Sequence, residues 1–560
     1  MSLRKFSLIL AAVLSLTLLA GCGIKDNPTD DPTDDPYDQY AEVPVVYEKR
    51  TAENEDESLS LYFDHGFEKT VQTNTVSTER DTYKMYVAKN EIETCQFLLS
   101  AQTEKENLSA YITDFTSKDG DVLAVELFRL EYFEANYQMT PDALCPYTDG
   151  ESFTLAANTS QAFMIRVETT AQTSSGDYEA TLQIKDAAER EIKIATVFLH
   201  VWDFTLSDET AATVSMDLSA YEISKISGRG DLYQNYYDFL LKNRISAYSL
   251  PFDVMSEEAE EYMNNPRVRS FMANRSSASV AQLAERLQQN KTWADKAFFY
   301  YVDEPKDLEA LERIAYYGTI LKNIYPDYRM VSPFFTPGTV QATGQDYLTY
   351  MADYINIWCP KAMLFTTDED YINVSGAQPP FFEAWQEDLY GTFYERIQAE
   401  KTGGDTLWWY TCWDPTAPYI TLNMEEKGVN HRILFWQQKY FNVDGFLYFS
   451  VNEWEDDSWN SHEKFNSENN TVWGDGQLIY CGTKLGLEVP VASLRLNSVR
   501  DGIEDFEYLT MLEKAIGGEK VHELISKITD SVVNYTDDPD FFATYRVRLG
   551  NYLEAVLDNG

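Results

Sequence analysis

The pattern of hydrophobic and polar positions divides the chain into two regions. Over residues 46–207, apolar and polar residues alternate in short runs separated by turn-forming residues, and no long helical pattern interrupts them. Examples of these runs are YKMYVA, QAFMIRVET and GDYEATLQIKD. Short strands at regular spacing are typical of an antiparallel β-sandwich, which we predict for residues 46–207.

The second region begins after Asp208, where strand-like runs alternate with amphipathic helical stretches. The predicted strands are residues 213–218, 245–252, 268–274, 297–304, 328–335, 354–360, 406–413 and 445–454. Eight strand–helix units favour a (β/α)8 barrel over residues 208–515, followed by a helical cap over residues 516–560. An open, doubly wound sheet is the alternative, because strand order does not follow from one sequence.

Polar side chains near the strand ends indicate where a site would lie. The active sites of (β/α)8 barrels lie at the carboxyl ends of the strands. In the first strand the polar face ends on Asp217, and in the eighth it carries Tyr448, Asn452 and Trp454. Because side chains alternate between the two faces of a strand, we expect this polar set to point into the barrel and to bind substrate.

Aromatic residues are further candidates for the same site. The chain contains 38 Tyr and 11 Trp, and flat rings suit stacking against a ligand. Trp358 lies near the end of the sixth strand, whereas Tyr410 and Trp413 lie in the seventh, which is aromatic on both faces. We predict all three as substrate-binding residues, although a place in the core is an equal alternative for any single Trp.

Two adjacent acids stand at the end of the fourth predicted strand. Asp303 and Glu304 follow an aromatic run, and a helical pattern begins directly after Pro305. Asp303 could cap that helix, since acids near a helix N-terminus bind its free N–H groups and favour its dipole. A cap needs only one acid, however, so Asp303 and Glu304 are also our candidates for catalysis.

Net charge and motif content argue against several functions. A formal charge of −46 repels phosphate backbones, so we do not expect nucleic acid as a partner. The 5 His and 6 Cys show no spacing typical of metal ligands, and no glycine motif for a nucleotide cofactor occurs. We expect neither a metal nor a cofactor.

The first 22 residues have the pattern of an export signal. Arg4 and Lys5 precede an apolar stretch that is too short for a typical membrane span. The following LAGC, residues 19–22, is similar to the bacterial lipoprotein signal, in which the Cys is acylated. The acidic, Pro-rich residues 23–45 should form an extended tether. We therefore predict an extracytoplasmic protein that is attached to the cell membrane or surface only by a lipid on Cys22.

Several features together resemble glycoside hydrolase family 123 and the larger set of proteins that share its catalytic domain. These features are the order of sandwich and barrel, YVDEP at 301–305, WGDGQLIYCG at 473–482 and SLRLNSVRDGIEDFEYL at 493–509. Characterised members of the family are β-N-acetylgalactosaminidases that use an adjacent Asp-Glu pair. Asp303 and Glu304 match this pair residue for residue.

The resemblance implies a retaining, substrate-assisted hydrolysis. The 2-acetamido oxygen of the sugar would attack the anomeric carbon and form an oxazolinium ion. Asp303 would orient the acetamido group, while Glu304 would protonate the leaving oxygen and later deprotonate water. The implied substrate is a glycan with β-linked N-acetylhexosamine, and the preference for N-acetylgalactosamine rests on the resemblance alone.

Two other functions remain open at this point. One is a surface lipoprotein that binds glycans without catalysis. The other is a glycosidase for a different sugar that uses two separated carboxylates, for instance with Asp217 as one of them.

The motif RDGIEDFEYL within the last quoted segment is best explained by structure. Arg500, Glu504 and Asp505 have the spacing of ion-pairing residues on one helix, and an apolar stripe runs beside them. We expect this motif to support the fold and not to take part in the reaction.

Overall fold

A computed structural model gives the structure of this protein. It describes residues 37–42, 47, 49–76, 80–335, 339–340, 344–366, 370, 387–465 and 470–558. Cys22 and the signal segment lie outside the described residues, as does most of the predicted tether.

The N-terminal region is a sandwich of two sheets. One sheet has five antiparallel strands in the spatial order Leu59–His65, Ile92–Ala101, Thr159–Glu168, Val125–Ala135 and Gln138–Pro146. The other has the order Thr82–Lys89, Glu191–Thr205, Gly176–Lys185, Lys105–Ile112 and Ser152–Leu155, with Phe115–Ser117 and Val122–Leu123 at its margin. One pair is parallel, Thr82–Lys89 beside Glu191–Thr205, and the other pairs of this sheet are antiparallel.

The alternation of the sequence explains how the two sheets pack. In strand Gly176–Lys185, buried and more exposed residues alternate, so one face enters the core between the sheets. Phe97 and Phe163 lie in that core with stacked rings whose centroids are 4.9 Å apart. The predicted sandwich is therefore confirmed.

The second region is a barrel of eight parallel strands, also as predicted. Its strands are Thr213–Met216, Ser246–Ala247, Phe271–Met272, Ala297–Tyr300, Met330–Phe334, Ile357–Pro360, Thr406–Tyr410 and Gly445–Tyr448, called here barrel strands one to eight. Successive strands are neighbours, and the eighth pairs with the first. The sheet ends at strands two and three, where Met272 N donates to Tyr248 O at 2.7 Å, so the barrel is nearly closed.

Helices surround these strands. Among the described residues, the α-helices between the first and last barrel strands are Ala220–Ser227, Tyr233–Lys242, Ala259–Asn264, Val280–Leu287, Lys291–Lys296, Leu308–Ile324, Tyr347–Met351, Glu387–Gly403 and Gly428–Tyr440. Three more follow the barrel: Leu494–Ile516, Gly518–Ile525 and Pro539–Asp558. Short two-stranded pairs also occur, of which Glu463–Phe465 with Thr471–Trp473 lies close to the site described below. Within the described chain, no helix is long and apolar enough to cross a membrane.

Helix Leu494–Ile516, which contains RDGIEDFEYL, lies between the sandwich and the barrel. Every residue from Leu494 to Thr510 is buried. Asp505 accepts hydrogen bonds from Arg432 of a barrel helix at 2.7 and 2.9 Å and from Arg546 of the last helix at 3.2 Å. Tyr508 O–H donates to Glu91 of the sandwich at 2.6 Å. The motif therefore links the two domains, in agreement with its predicted structural role.

The described residues of the predicted tether, 37–42, pack against the last helix of the chain. Tyr37 is buried, and the rings of Tyr37 and Tyr40 lie 5.1 and 4.5 Å from the ring of Tyr552 on the last helix. Arg548 donates to Asp38 at 2.9 Å. Aromatic packing thus fixes residues 37–42 against the C-terminal helix, which an acidic, Pro-rich composition did not predict.

Candidate active site

Asp303 and Glu304 lie just beyond the end of barrel strand four, at the carboxyl edge of the barrel. Strand four ends at Tyr300, and the backbone turns at Glu304, whose φ of 38° is left-handed. Glu304 N donates to Pro333 O of barrel strand five at 3.1 Å. This bond fixes the turn, so the two carboxyl groups stand at the mouth of the barrel.

Neither acid caps the following helix. Helix Leu308–Ile324 begins after Asp307, whose side chain accepts a hydrogen bond from Ala310 N at 2.9 Å. The alternative reading of Asp303 as the helix cap is therefore wrong, because Asp307 has that position. The adjacent acids require another explanation.

Each acid is held by its own tyrosine. Tyr300 O–H donates to Asp303 Oδ1 at 2.7 Å, and Tyr410 O–H donates to Glu304 Oε1 at 2.6 Å. Lys306 Nζ lies 3.9 Å from Glu304 Oε2. The Glu304 side chain is 29% exposed, and Asp303 is more exposed. Each carboxyl group thus has one oxygen bound to a phenol and a second oxygen open to a ligand.

A cavity of about 610 Å³ opens in front of these acids. That volume accommodates a sugar ring together with part of its aglycone. The side chains that line it come from the ends of most barrel strands and from the loops after strand eight. They are Asp217, Tyr248, Met272, Asn274, Arg275, Tyr300, Tyr301, Asp303, Glu304, Pro333, Tyr410, Thr411, Cys412, Trp413, Leu447, Phe449, Glu453, Lys464 and Asp475.

The structure brings five of the predicted site residues together in this cavity. Besides the Asp303–Glu304 pair, Asp217, Tyr410 and Trp413 line it. Burial raises the pKa of the Asp217 carboxyl, and Arg275, whose guanidinium is 3.9 Å away, partly opposes that rise. In barrel strand seven, the side chains of Trp408 and Tyr410 point into the barrel and that of Trp409 points toward the helices. The sequence had left this orientation ambiguous.

The predicted inward face of strand eight is wrong. Leu447 lies inside the barrel, whereas Tyr448 packs in the layer between strands and helices. The strand ends at Tyr448, so the alternation that we extended to residue 454 does not continue. Asn452 exchanges hydrogen bonds with Ser219, and Trp454 Nε1 donates to Ile479 O at 2.9 Å. All three predicted residues of this strand lie behind the cavity wall.

Trp358 also lies outside the cavity. Its neighbours Ile357 and Cys359 point into the barrel, so Trp358 faces the helices. Its Nε1 donates to Asp405 Oδ2 at 2.8 Å, and the residue is almost fully buried. Of the two alternatives for this Trp, the core position is the observed one.

Sequence reasoning missed a set of acidic and basic side chains in the wall of this cavity. Asp475, Glu453 and Lys464 line the cavity, and Lys464 forms an ion pair with Glu453. Burial raises the pKa of Asp475 to about 6. The available signal was WGDGQLIYCG, in which glycines flank Asp475 on both sides.

In the described part of the chain, no group of three or more His, Cys, Asp or Glu is placed to hold a metal ion.

Comparison with known proteins gives a family match and a structural match. The model of the glycoside hydrolase 123 catalytic domain matches residues 368–512. This match includes Asp475 and most of helix Leu494–Ile516, and Asp303 and Glu304 lie before it. No curated protein sequence matches the chain significantly.

A solved structure has a similar fold over most of the chain. It is described as a family 123 glycoside hydrolase from Clostridium perfringens, studied for glycolipid glycan hydrolysis. The two share 12% sequence identity at a TM-score of 0.63, over 90% of this chain and 99% of that one. A putative β-galactosidase from Bacteroides fragilis matches at a TM-score of only 0.25, with 8% identity, over 75% of this chain and 56% of that one. The resemblance to glycoside hydrolase family 123 is therefore confirmed, by the family's catalytic-domain model over residues 368–512 and by a shared fold.

Proposed function

We propose that this protein is a retaining glycoside hydrolase that releases β-linked N-acetylhexosamine, with N-acetylgalactosamine as the preferred sugar, by substrate-assisted catalysis. The observation that supports it most is the adjacent Asp303–Glu304 pair at the mouth of the barrel, with each acid bound by a different tyrosine. Adjacent acids do not easily take opposite sides of a scissile bond, as an ordinary two-carboxylate mechanism requires. An internal nucleophile on the sugar removes that requirement.

Asp303 orients the internal nucleophile. Tyr300 occupies Oδ1, so Oδ2 accepts the N–H of the 2-acetamido group. The carbonyl oxygen of that group then attacks the anomeric carbon as the glycosidic bond breaks. The negative charge of Asp303 stabilises the positive charge that develops on the oxazolinium ring.

Glu304 transfers the proton. Tyr410 occupies Oε1, so Oε2 carries the proton that moves to the leaving oxygen. Glu304, now a carboxylate, takes a proton from water as the water oxygen attacks the anomeric carbon and opens the ring. Two displacements at one carbon retain its configuration.

Two substitutions test these separate roles. Glu304→Gln should lose ~10²- to 10⁴-fold in rate on substrates with poor leaving groups, but much less on a dinitrophenyl glycoside, which departs without protonation. Asp303→Asn should slow both substrates, because formation of the oxazolinium ion precedes departure of either aglycone. Melting temperatures measured beside the rates control for misfolding. Equal, modest losses in both variants that follow a lowered melting temperature would contradict the proposal.

A second candidate mechanism is favoured by Asp217. This acid lines the same cavity, and burial raises its pKa, which suits a general acid in a two-carboxylate mechanism. In that case Asp217→Asn would show the dependence on leaving group that we assign to Glu304. A thiazoline derived from N-acetylgalactosamine, which mimics the oxazolinium ion, should inhibit only the substrate-assisted enzyme.

We further propose that the protein is a lipoprotein outside the cytoplasm, attached through Cys22. The support is the LAGC run after a short apolar stretch. Cys22→Ala should abolish incorporation of labelled fatty acid and release the protein from the membrane fraction. Absence of label in the wild-type protein would contradict the anchor.

A further inference from the structure

We propose that Asp475 and Lys464 form a subsite that binds one hydroxyl group of the sugar in the cavity and so determines substrate specificity. The proposal rests on the proposed function, because it requires a sugar ring in the cavity that Asp475 and Lys464 line together with the Asp303–Glu304 pair. It assigns a role to the motif WGDGQLIYCG, which the catalytic scheme leaves unused.

Asp475 is a buried carboxylate with one unused oxygen. The residue is 3% exposed and lines the cavity. Its Oδ1 accepts a hydrogen bond from Tyr448 O–H at 2.9 Å. Among the described residues, no group donates a hydrogen bond to Oδ2, and Lys464 Nζ lies 3.9 Å from it. A buried charge with an unused acceptor is unfavourable unless a ligand completes it.

Two other buried carboxylates of this protein have both oxygens bound by groups of the protein itself. Asp142 accepts from Arg495 on both oxygens and also from Tyr480. Asp505 likewise accepts on both oxygens, from two arginines and Trp436. Asp475 differs from both because its second oxygen lies at a cavity and not in a network.

The turn that presents Asp475 is built for this orientation. Gly474 and Gly476 both have positive φ, 73° and 74°, which other residues rarely adopt. A Cβ on Gly474 would lie 2.9 Å from the Arg495 guanidinium, and one on Gly476 would lie 2.8 Å from Glu453. Conformation therefore favours glycine on each side of Asp475, and space favours it at Gly474 as well, because the Arg495 guanidinium is buried.

A buried ion pair from the domain boundary anchors the turn. Arg495 donates to Gly474 O at 2.6 Å and also to Gln477 O, on either side of Asp475. Arg495 is itself held by Asp142 of the sandwich, and neither side chain is exposed. Gly476 N donates to Tyr448 O–H at 3.0 Å, which orients the hydroxyl toward Asp475. The position of Asp475 is thus fixed by groups from both domains.

The spacing of Asp475 and Lys464 matches a hydroxyl group. A hydroxyl donates one hydrogen bond and accepts others. An oxygen ~2.8 Å from each partner fits between atoms that are 3.9 Å apart, donating to Asp475 and accepting from Lys464.

The test compares substrates that differ by one hydroxyl. Aryl β-glycosides of N-acetylgalactosamine and of its 3-, 4- and 6-deoxy forms are hydrolysed by the wild type and by Asp475→Ala. For one position, the wild type should lose at least ~10²-fold in kcat/KM on removal of the hydroxyl. In Asp475→Ala that ratio should approach one, while the ratios for the other positions stay unchanged. Lys464→Met should reduce the same ratio in part.

The ratio within one variant is independent of how much protein is folded, since both substrates meet the same active fraction. Asp405→Asn is a matched control, because Asp405 also accepts from an aromatic side chain but lies outside the cavity. Its ratios should equal those of the wild type. Unchanged ratios in Asp475→Ala, with hydrolysis intact, would overturn the subsite and leave the proposed function standing.

Calorimetric titration with the methyl β-glycosides of the same sugars separates the remaining outcomes. If the wild type binds the parent sugar, discriminates one deoxy form through Asp475 and hydrolyses nothing, the subsite is supported and the proposed function fails. If it neither binds nor hydrolyses any of them, both are overturned.

Discussion

Asp475 imposes a folding cost that a binding role would explain. Its pKa is raised from 3.8 to about 6, first by burial, while Lys464 and Arg495 lower it and Glu453 raises it further. A carboxyl group whose folded pKa is raised stabilises the fold fully below its unfolded pKa. That contribution is lost as the pH rises through about 6. At neutral pH, the charged form of Asp475 therefore destabilises the protein.

Asp475→Asn should consequently increase stability while it reduces sugar discrimination. The amide keeps the acceptor for Tyr448 O–H and removes the buried charge. We expect a gain of up to ~3 kcal/mol in the free energy of unfolding near pH 7.5, declining toward zero near pH 4. Denaturant titrations of both proteins at the two pH values measure it. A variant less stable than the wild type near pH 7.5 would mean that Asp475 supports the fold.

At the scale of secondary-structure elements, two acids near the start of helix Leu308–Ile324 have different roles, one in stability and one in catalysis. Asp307 caps this helix through Ala310 N, and Asp303 stands four residues earlier at the cavity. The two acids should therefore respond differently to substitution.

Asp307→Ala should cost ~0.5–2 kcal/mol of stability, because one helical N–H loses its partner. Its rates should fall only in proportion to the folded fraction, with no change in the dependence on leaving group. Asp303→Asn is the paired comparison, with lost activity and a nearly unchanged melting temperature. The reverse pattern would contradict a catalytic role for Asp303. In that pattern, Asp303→Asn lowers the stability and Asp307→Ala lowers the rate.

The secondary-structure elements also show which parts of the fold could be predicted from the sequence. All eight barrel strands were predicted in the correct order, because amphipathic helical stretches separate most of them along the chain. The face of strand eight was misjudged because the polar tip of Tyr448 suggested a cavity position. Its ring instead stacks near Phe446 outside the barrel, and its hydroxyl reaches Asp475 on a distant loop. Such a partner, 27 residues away along the chain, has no signature in strand periodicity.

Asp303 and Glu304 were predictable for the opposite reason. Their position follows from the local pattern, since they come directly after a strand of the barrel, and the carboxyl ends of these strands are where barrels place their sites. Asp475 depends on a turn held by Arg495 and thus on Asp142 of the other domain. Contacts of this kind between domains decide which buried acid faces the cavity, and they become visible only in the folded chain.

At the scale of the whole molecule, sandwich and barrel share one charged boundary. Asp505 lies at its centre with no exposed surface, and the guanidinium of Arg432 beside it holds the pKa of this carboxyl below its usual value despite burial. Arg546, which also binds Asp505, donates to Tyr86 O of the sandwich at 2.9 Å. Because this boundary also positions the turn at Asp475, the sandwich contributes to the geometry of the site.

We therefore expect the two domains to unfold as one unit. Asp505→Asn removes the buried negative charge that two guanidinium groups share. Arg432 keeps its ion pair with Asp501 and Arg546 keeps its ion pair with Glu91, so the loss should cost ~1–3 kcal/mol. Glu513→Gln is the matched control on the same helix, since Glu513 is 46% exposed and its ion pair with Lys439 should be worth less than ~1 kcal/mol. Hydrogen exchange at increasing denaturant, followed by mass spectrometry on peptides from Ile92–Ala101 and Gly445–Tyr448, reports each domain separately. In Asp505→Asn both peptides should lose protection at the same, lower denaturant concentration. If the sandwich peptide exchanged early while the barrel peptide kept the wild-type midpoint, the boundary would hold two independent domains together without coupling their stability.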